Sequence, residues 1–229
     1  SSEYDAMYLL LFYNPSLPAK PLTTLNDLNW YDSYGWYAGR TGWDFAPSAT
    51  DLTTYFHMAP KASSHKGVLH YEIQRGGDDL IAKSSYYEGD DNTHFDPWLT
   101  QAQAFNSILI YDGTENMGVL PNAGQQTTPD VQGAISRWPD CTWTSGFGFM
   151  GSITALDTTD AYTLIEADAS KAYSTNKAQQ VLRRWRWIRP SWLFVQDRVV
   201  LTRPGLPVKS LLHCIMRPEM GTEPQVIRG

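Results

Sequence analysis

Short runs in which apolar and polar residues alternate follow one another along most of this chain. The clearest run is Leu182 to Ile188. Its aromatic residues, Trp185 and Trp187, fall on one face of an extended strand, and the other face carries Arg184 and Arg186. Similar runs, separated by clusters of Gly and Asp, predict strands at 36–44, 51–58, 70–74, 80–83, 107–111, 144–149, 162–168, 192–196, 198–201 and 209–216. Short strands at such spacing predict an all-β protein, a large antiparallel β-sandwich.

The first residues break this pattern. Residues 3–13 are apolar enough to form the end of a helix, and Asn14-Pro15 would close it because proline disfavours helix in the preceding residue. A proline-rich extended connector follows. We therefore expect a short helical remnant and connector over residues 1–20, and the β-sandwich domain over residues 21–229.

Composition narrows the range of partners. Hydrophobic residues make up 42% of the chain and charged residues 18%, as expected for a globular protein. The net charge of -6 argues against a general nucleic-acid binder. No apolar run reaches the roughly 18 residues of a membrane span. The two cysteines, Cys141 and Cys214, are compatible with one disulfide or with two free thiols.

Aromatic residues are abundant, with nine Trp and thirteen Tyr. Such residues suit β-sheets, and an exposed aromatic ring offers a flat apolar face on which a sugar ring can stack. Trp36, Trp43 and Trp98 are the candidates for such a contact, but we expect at least Trp36 and Trp43 to pack in the core instead.

The segment from Ser64 to Gly113 concentrates the residues capable of chemistry. It holds His65, Lys83 and Tyr87 between strand-like runs, and groups of this kind at strand ends support metal binding or proton transfer. The alternative is that the histidines are structural, hydrogen-bonded groups near turns.

Several blocks of the sequence have a familiar order and spacing: G-W-Y-A-G-R-T-G-W-D (35–44), H-Y-E-I-Q-R-G-G-D-D-L-I-A-K-S-S-Y-Y (70–87), F-N-S-I-L-I-Y-D-G (105–113) and V-L-R-R-W-R-W-I-R-P-S-W-L-F-V-Q-D-R-V (181–199). Together they resemble the C-terminal β-sandwich domain of heparinase II/III-like polysaccharide lyases. The resemblance implies a preceding helical toroid, of which residues 3–13 would be the last helix, and further strands after Gly229. It also implies a secreted or periplasmic protein.

The resemblance implies a reaction as well. Enzymes of this family cleave acidic polysaccharides by β-elimination, in which a base removes the proton beside a uronate carboxylate, a cation or hydrogen-bond donor neutralises that carboxylate, and an acid assists the leaving oxygen. The base and the neutralising group usually come from the toroid, so the sandwich should be inactive or nearly inactive alone.

The family's metal-binding motif is poorly matched. In the family, a zinc ion is held by the second His of a His-x-His-x-Asp turn, by an Asp, and by a His that precedes an Asn. Here His65 stands at the second His of the turn, Ser63 and Gly67 replace the first His and the Asp, Lys83 replaces the ligating Asp, and Phe105 replaces the last His. Because zinc sites need three or four ligands, we predict neither a metal site nor another cofactor.

The resemblance and the residue types together give a set of candidate site residues. The catalytic candidates are His65 and Tyr87, the tyrosine acting as a base only if a neighbouring positive charge lowers its pKa. The candidates for binding an acidic polysaccharide are Lys83, Arg75, Asn106 and Trp98.

Two functions remain open. The first is the wall of a lyase cleft, which would act with a helical toroid domain or a partner chain. The alternative is a non-catalytic carbohydrate-binding or assembly sandwich that has lost the metal and the catalytic groups.

Overall fold

Antiparallel strands make up most of the described chain. The computed structural model describes residues 16, 18, 20–31, 35–44, 46, 48–57, 67–84, 102–111 and 151–215. The predicted helix at 3–13, the predicted strand at 144–149 and Cys141 lie outside these residues.

The described strands are β1 (Leu28–Tyr31), β2 (Trp36–Arg40), β3 (Leu52–His57), β4 (His70–Arg75), β5 (Asp78–Ile81), β6 (Ile108–Ile110), β7 (Ser152–Thr158), β8 (Tyr162–Asp168), β9 (Ala178–Ile188), β10 (Trp192–Leu201) and β11 (Val208–Ser210). Strands β1 to β5 form one sheet in chain order, and a second sheet has the order β10-β9-β8-β7. Strands β6 and β11 form a separate pair. All described pairs are antiparallel, which confirms the predicted fold class.

The strand predictions agree with the structure in most places, but the strand predicted at 209–216 is only Val208–Ser210 in the structure. Strand β8 has the predicted ends, whereas β10 is one continuous strand where two were predicted. The alternation did not indicate β1 or β7. The strand predicted at 80–83 is shifted to Asp78–Ile81, because the β4–β5 hairpin turns on Gly76 and Gly77, both with positive φ. A Cβ on Gly76 would lie 2.7 Å from the carbonyl oxygens of Ala46 and Ala49, so glycine is required there.

The two large sheets pack face to face around the tryptophans of β9. Trp185 and Trp187 are 0% and 1% exposed, which confirms the face predicted from alternation. The ring of Trp185 lies 5.7 Å from that of Tyr37 and 5.9 Å from that of Phe56, both on the five-stranded sheet. The hydroxyl of Tyr37 also bonds Thr163 of β8 at 2.9 Å. These contacts across the layers define a β-sandwich.

A buried arginine, Arg183, forms hydrogen bonds that connect the second sheet to the segments around Leu69 and Asn106. Arg183 shares the tryptophan face of β9, is 0% exposed, and makes a two-pronged ion pair with Asp197 of β10, each bond 2.7 Å long. Its Nη1 donates to the carbonyl oxygens of Leu69 and Asn106, each at 2.7 Å. Burial alone would lower the pKa of Arg183, but the hydrogen bonds and charge of Asp197 raise it above its ordinary value. The described helical segments include none long and apolar enough to cross a membrane.

Candidate functional site

The side of the five-stranded sheet that faces away from the second sheet carries polar and aromatic side chains, from Trp36, which is exposed, to His70, which is buried. Successive side chains of a strand alternate between faces, and the buried Tyr37 and Phe56 face the second sheet, so their strand neighbours point away from it. The pairing register places these neighbours in two cross-strand rows, which define the outer face: Trp36, His57 and His70 in the first row, and Ala38, Tyr55 and Glu72 in the second.

His70 is held by hydrogen bonds to both ring nitrogens. The backbone N–H of Asn106 donates to its Nδ1 at 3.0 Å, so in the neutral ring the proton lies on Nε2. Nε2 then donates to Oε1 of Glu72 at 2.9 Å. Neither ring nitrogen of His70 therefore has a lone pair available for a metal ion or an abstracted proton.

Asn106 lies beneath the outer face and connects its parts. It is 0% exposed, and its Nδ2 donates to the carbonyl oxygens of Tyr71 and Ala82 at 2.8 and 3.1 Å. Its Oδ1 accepts from the backbone N–H of His213 at 2.6 Å and lies 3.0 Å from Nδ1 of that ring. The hydrogen-bonding groups of this side chain are engaged within the protein, so Asn106 positions its neighbours from below the surface.

His213 joins this cluster from a distant part of the chain and was not among the predicted site residues. Because Oδ1 of Asn106 can only accept, Nδ1 of His213 carries the ring proton. Burial and the nearby His70 lower the pKa of His213, while a hydrogen bond to the backbone of Gln103 opposes that change. The ring is therefore neutral at pH 7.

Lys83 is the cation of this site. It follows β5, is half-buried, and places Nζ 4.4 Å from the centroid of the Phe105 ring. The Phe105 ring in turn packs edge to face with the His70 ring, and the two ring centroids are 5.2 Å apart. Burial lowers the pKa of Lys83 to about 8, although the charge of Glu72 opposes this change. Lys83 is therefore mostly charged at pH 7 and loses its proton as the pH rises through about 8.

Glu72 carries the negative charge that partly offsets the positive charge of Lys83. The hydrogen bond from His70 lowers its pKa, against the effect of burial, and the backbone and charge of Lys83 lower it further. The Glu72 carboxylate thus interacts with both the backbone and the charge of Lys83. Lys83 attracts an anionic ligand, whereas Glu72 repels it.

The residues present do not fit the zinc site of the family that the sequence resembles. Lys83 and Phe105 stand where two ligands are required, and an ammonium group repels a metal cation. Within the described ranges, no group of three His, Cys, Asp or Glu side chains could hold a metal ion. Cys214, a free thiol at an isolated bridge to Ile81, adds no such group.

The structure separates several of the other candidates. Arg75 ends β4 with an exposed side chain, and alternation puts it on the face opposite Glu72. Arg184 and Arg186 lie on the solvent side of the second sheet, where Arg184 pairs with Glu166 at 2.9 Å. A single basic surface formed by Lys83 together with these arginines, which would suit a uronate or sulfate, is therefore not present among the described residues. His65, Tyr87 and Trp98 lie outside the described residues.

One expectation about the tryptophans was wrong. Trp36 was expected in the core but is 51% exposed, because it stands one position before the buried Tyr37 and so points to the opposite face. Strand parity also links His70 with Glu72, and Arg183 with Trp185. That signal, present in the sequence, could have identified Glu72 as a site residue and Arg183 as a buried cation.

Comparisons with known proteins support the fold. A heparinase III structure with methylated lysines matches 86% of this chain and 26% of its own, with 13% identity and a TM-score of 0.55. The heparan sulfate lyase HepC from Pedobacter heparinus matches 76% of this chain and 22% of its own, with 13% identity and a TM-score of 0.50. No protein-family model and no curated protein matches the sequence. The resemblance to this β-sandwich is thus confirmed as a fold, over about a quarter of the length of these lyases.

Proposed function

We propose that this chain forms the β-sandwich wall of a heparinase II/III-like polysaccharide-lyase cleft and binds an acidic polysaccharide on its outer face. The observation that carries the proposal is the placement of Lys83. Its ammonium group is half-buried against the Phe105 ring, interacts electrostatically with Glu72, and lies near a face that also presents an exposed tryptophan. A partly desolvated cation attracts an anion more strongly than a fully hydrated one.

Lys83 suits one step of β-elimination in particular. When the proton beside a uronate carboxylate is removed, negative charge accumulates on that carboxylate, and a fixed cation stabilises the charge. In our proposal Lys83 supplies this cation, and Asn106 holds His70 and His213 in place through hydrogen bonds. His65 and Tyr87 are the proposed proton-transfer residues, and Trp98 and Arg75 are proposed as further substrate contacts.

His70 is not available as a base on the described part of the outer face, because both of its ring nitrogens are engaged. In the lyases that the sequence resembles, the base usually comes from the toroid. We therefore propose that the chain alone is inactive or nearly so, and that a helical toroid domain or a partner chain completes the cleft. Because one protein of similar fold is a heparan sulfate lyase, heparan sulfate is the first substrate to test.

An absorbance assay tests the inactivity directly. The 229-residue chain is mixed with heparan sulfate, hyaluronan, alginate or ulvan, and the ultraviolet absorbance of the unsaturated uronate product is followed. No rise above a protein-free control is expected. Sustained turnover by this chain alone would overturn the claim.

The second candidate is a carbohydrate-binding sandwich with no catalytic role in any assembly. The replacement of metal ligands by Lys83 and Phe105 favours it. Calorimetry shows whether the chain binds a glycan at all. It does not separate the two candidates, because both predict saturable binding without product. Activity after adding a toroid domain from a similar lyase supports the cleft, and continued inactivity of a stable complex supports the binding module.

A further inference from the structure

We propose that Trp36 is a sugar-stacking residue and that it sets the minimum length of acidic oligosaccharide that the outer face binds. The inference rests on the proposed function and adds to it a second contact point. A glycan would run across the strands, with a carboxylate or sulfate at Lys83 and a sugar ring on the indole of Trp36.

The exposure and orientation of Trp36 support this role. The residue is 51% exposed, although Tyr37 beside it is 2% exposed. Its ring meets that of His57 with centroids 5.0 Å apart and planes at 79°. This contact fixes the orientation of the indole, so that little side-chain entropy is lost when a ligand stacks on it.

The register supplies the distance. Trp36, His57 and His70 are successive cross-strand partners on β2, β3 and β4. Neighbouring strands are spaced by about 4.8 Å, so the Cα atoms of Trp36 and His70 are about 10 Å apart. Lys83 lies beyond His70, against the Phe105 ring that contacts it. The span to Lys83 is therefore longer than this distance, and more than two linked pyranose rings are needed to bridge it.

The second row of the outer face leaves room for the glycan. Ala38 follows Trp36 on the same face, and its small side chain stands beside Tyr55. A shallow depression is therefore expected next to the indole. An aromatic ring bordered by hydroxyl, imidazole and carboxylate groups suits a sugar, which presents an apolar ring face and a polar edge.

The opposite sheet provides a matched control. Trp192 and Phe194 are 68% and 53% exposed on β10, with stacked rings whose planes differ by 18°. This pair lies on the other side of the sandwich from Lys83. A glycan held at Lys83 does not reach it.

The experiment measures the binding of heparan sulfate disaccharide, tetrasaccharide and hexasaccharide to the full chain by calorimetry. Trp36→Ala should weaken tetrasaccharide and hexasaccharide binding roughly tenfold while leaving disaccharide binding unchanged. Trp36→Phe should recover most of the loss, and Trp192→Ala should behave as wild type. Thermal unfolding of each variant confirms that it is folded.

The possible failures are distinct. If Lys83→Gln weakens binding at every length and Trp36→Ala at none, the stacking inference is overturned and the proposed function stands. If Trp192→Ala matches the loss in Trp36→Ala, the specific placement is overturned. If the wild-type chain binds none of the oligosaccharides, both the inference and the proposed function fail.

Discussion

Two cations of this sandwich, Arg183 and Lys83, occupy very different surroundings. Arg183 is 0% exposed and has a carboxylate, two carbonyl oxygens and a hydroxyl as partners. Lys83 is half-buried, with an aromatic ring and one carboxylate close to it. Both charges are partly or wholly removed from water, but among the residues that the structure describes only Arg183 has a full set of polar partners.

The difference separates a structural charge from one that can meet a ligand. A buried charge without sufficient partners raises the free energy of the folded state, unless another molecule supplies the missing interaction. The opposite pKa changes express this contrast: Asp197 raises that of Arg183 against the effect of burial, whereas burial lowers that of Lys83 despite Glu72. We infer that Arg183 maintains the fold and that Lys83 serves binding.

The largest effect expected from this contrast is on stability. Arg183→Met should lower the free energy of unfolding by about 3–5 kcal/mol, because the partly buried Asp197 and two carbonyl oxygens would lose their partner. Urea denaturation measures the loss. The control is Arg184→Met, whose surface pair with Glu166 should contribute no more than about 1 kcal/mol. Equal losses in the two variants would remove the distinction between the buried and exposed arginines.

The fold was predictable to the extent that it depends on local alternation. The Trp185 and Trp187 face of β9 follows from a period of two, and so does the burial of Arg183. The partner of Arg183 does not, since Asp197 is brought opposite it by the register of the β9–β10 hairpin. A longer hairpin turn or a shifted register would give the same alternation and a different ion pair.

The site was predictable to a smaller extent. Lys83 was identified through a motif position, but its contact with Phe105 depends on how the chain between them folds. The bond from His213 to Asn106 joins residues 107 positions apart, and no spacing rule indicates such a pair. The face on which Trp36 and Glu72 lie follows from the alternation of side chains along β2 and β4.

The second prediction concerns binding at Lys83. Lys83→Gln should weaken heparan sulfate binding about tenfold, since a hydrogen bond to a charged group contributes roughly 1.5–3 kcal/mol and glutamine keeps part of it. Stability should stay constant or rise slightly, because the charge opposes burial. Calorimetry and thermal unfolding measure the two effects. Lys209→Gln removes the same charge from exposed β11 and should change neither. A loss of stability in Lys83→Gln like that in Arg183→Met would contradict the contrast.

The third prediction is a pH dependence with a defined direction. The pKa of Lys83 lies near 8, below its ordinary value, so the binding form is lost as the pH rises through 8. Glu72 and His213, whose pKa values are lowered, do not titrate in this alkaline window. Affinity for heparan sulfate should therefore fall from neutral to moderately alkaline pH. Lys83→Arg keeps the charge and should flatten the profile; an unchanged profile would assign the titration to another group.

The smallest expected effect follows from removing the negative charge of Glu72, the carboxylate that interacts with Lys83. Glu72 balances part of the charge on Lys83, so Glu72→Gln should strengthen heparan sulfate binding by a few-fold, as expected for a pair worth less than about 1 kcal/mol. The amide oxygen of the glutamine can still accept the bond from His70. Because Glu72 also supports the charge on Lys83, the measurement belongs at or below pH 7, where the ammonium form dominates.

Glu166→Gln is the control for this gain, since it removes a carboxylate from the solvent side of the second sheet, where it pairs with Arg184. It should leave calorimetric affinity unchanged. An equal gain in both variants would show that the net charge of -6 governs the attraction of polyanions to this chain, and not the local pair. A gain confined to Glu72→Gln, and reduced by added salt, would locate the incompletely balanced charge at Lys83.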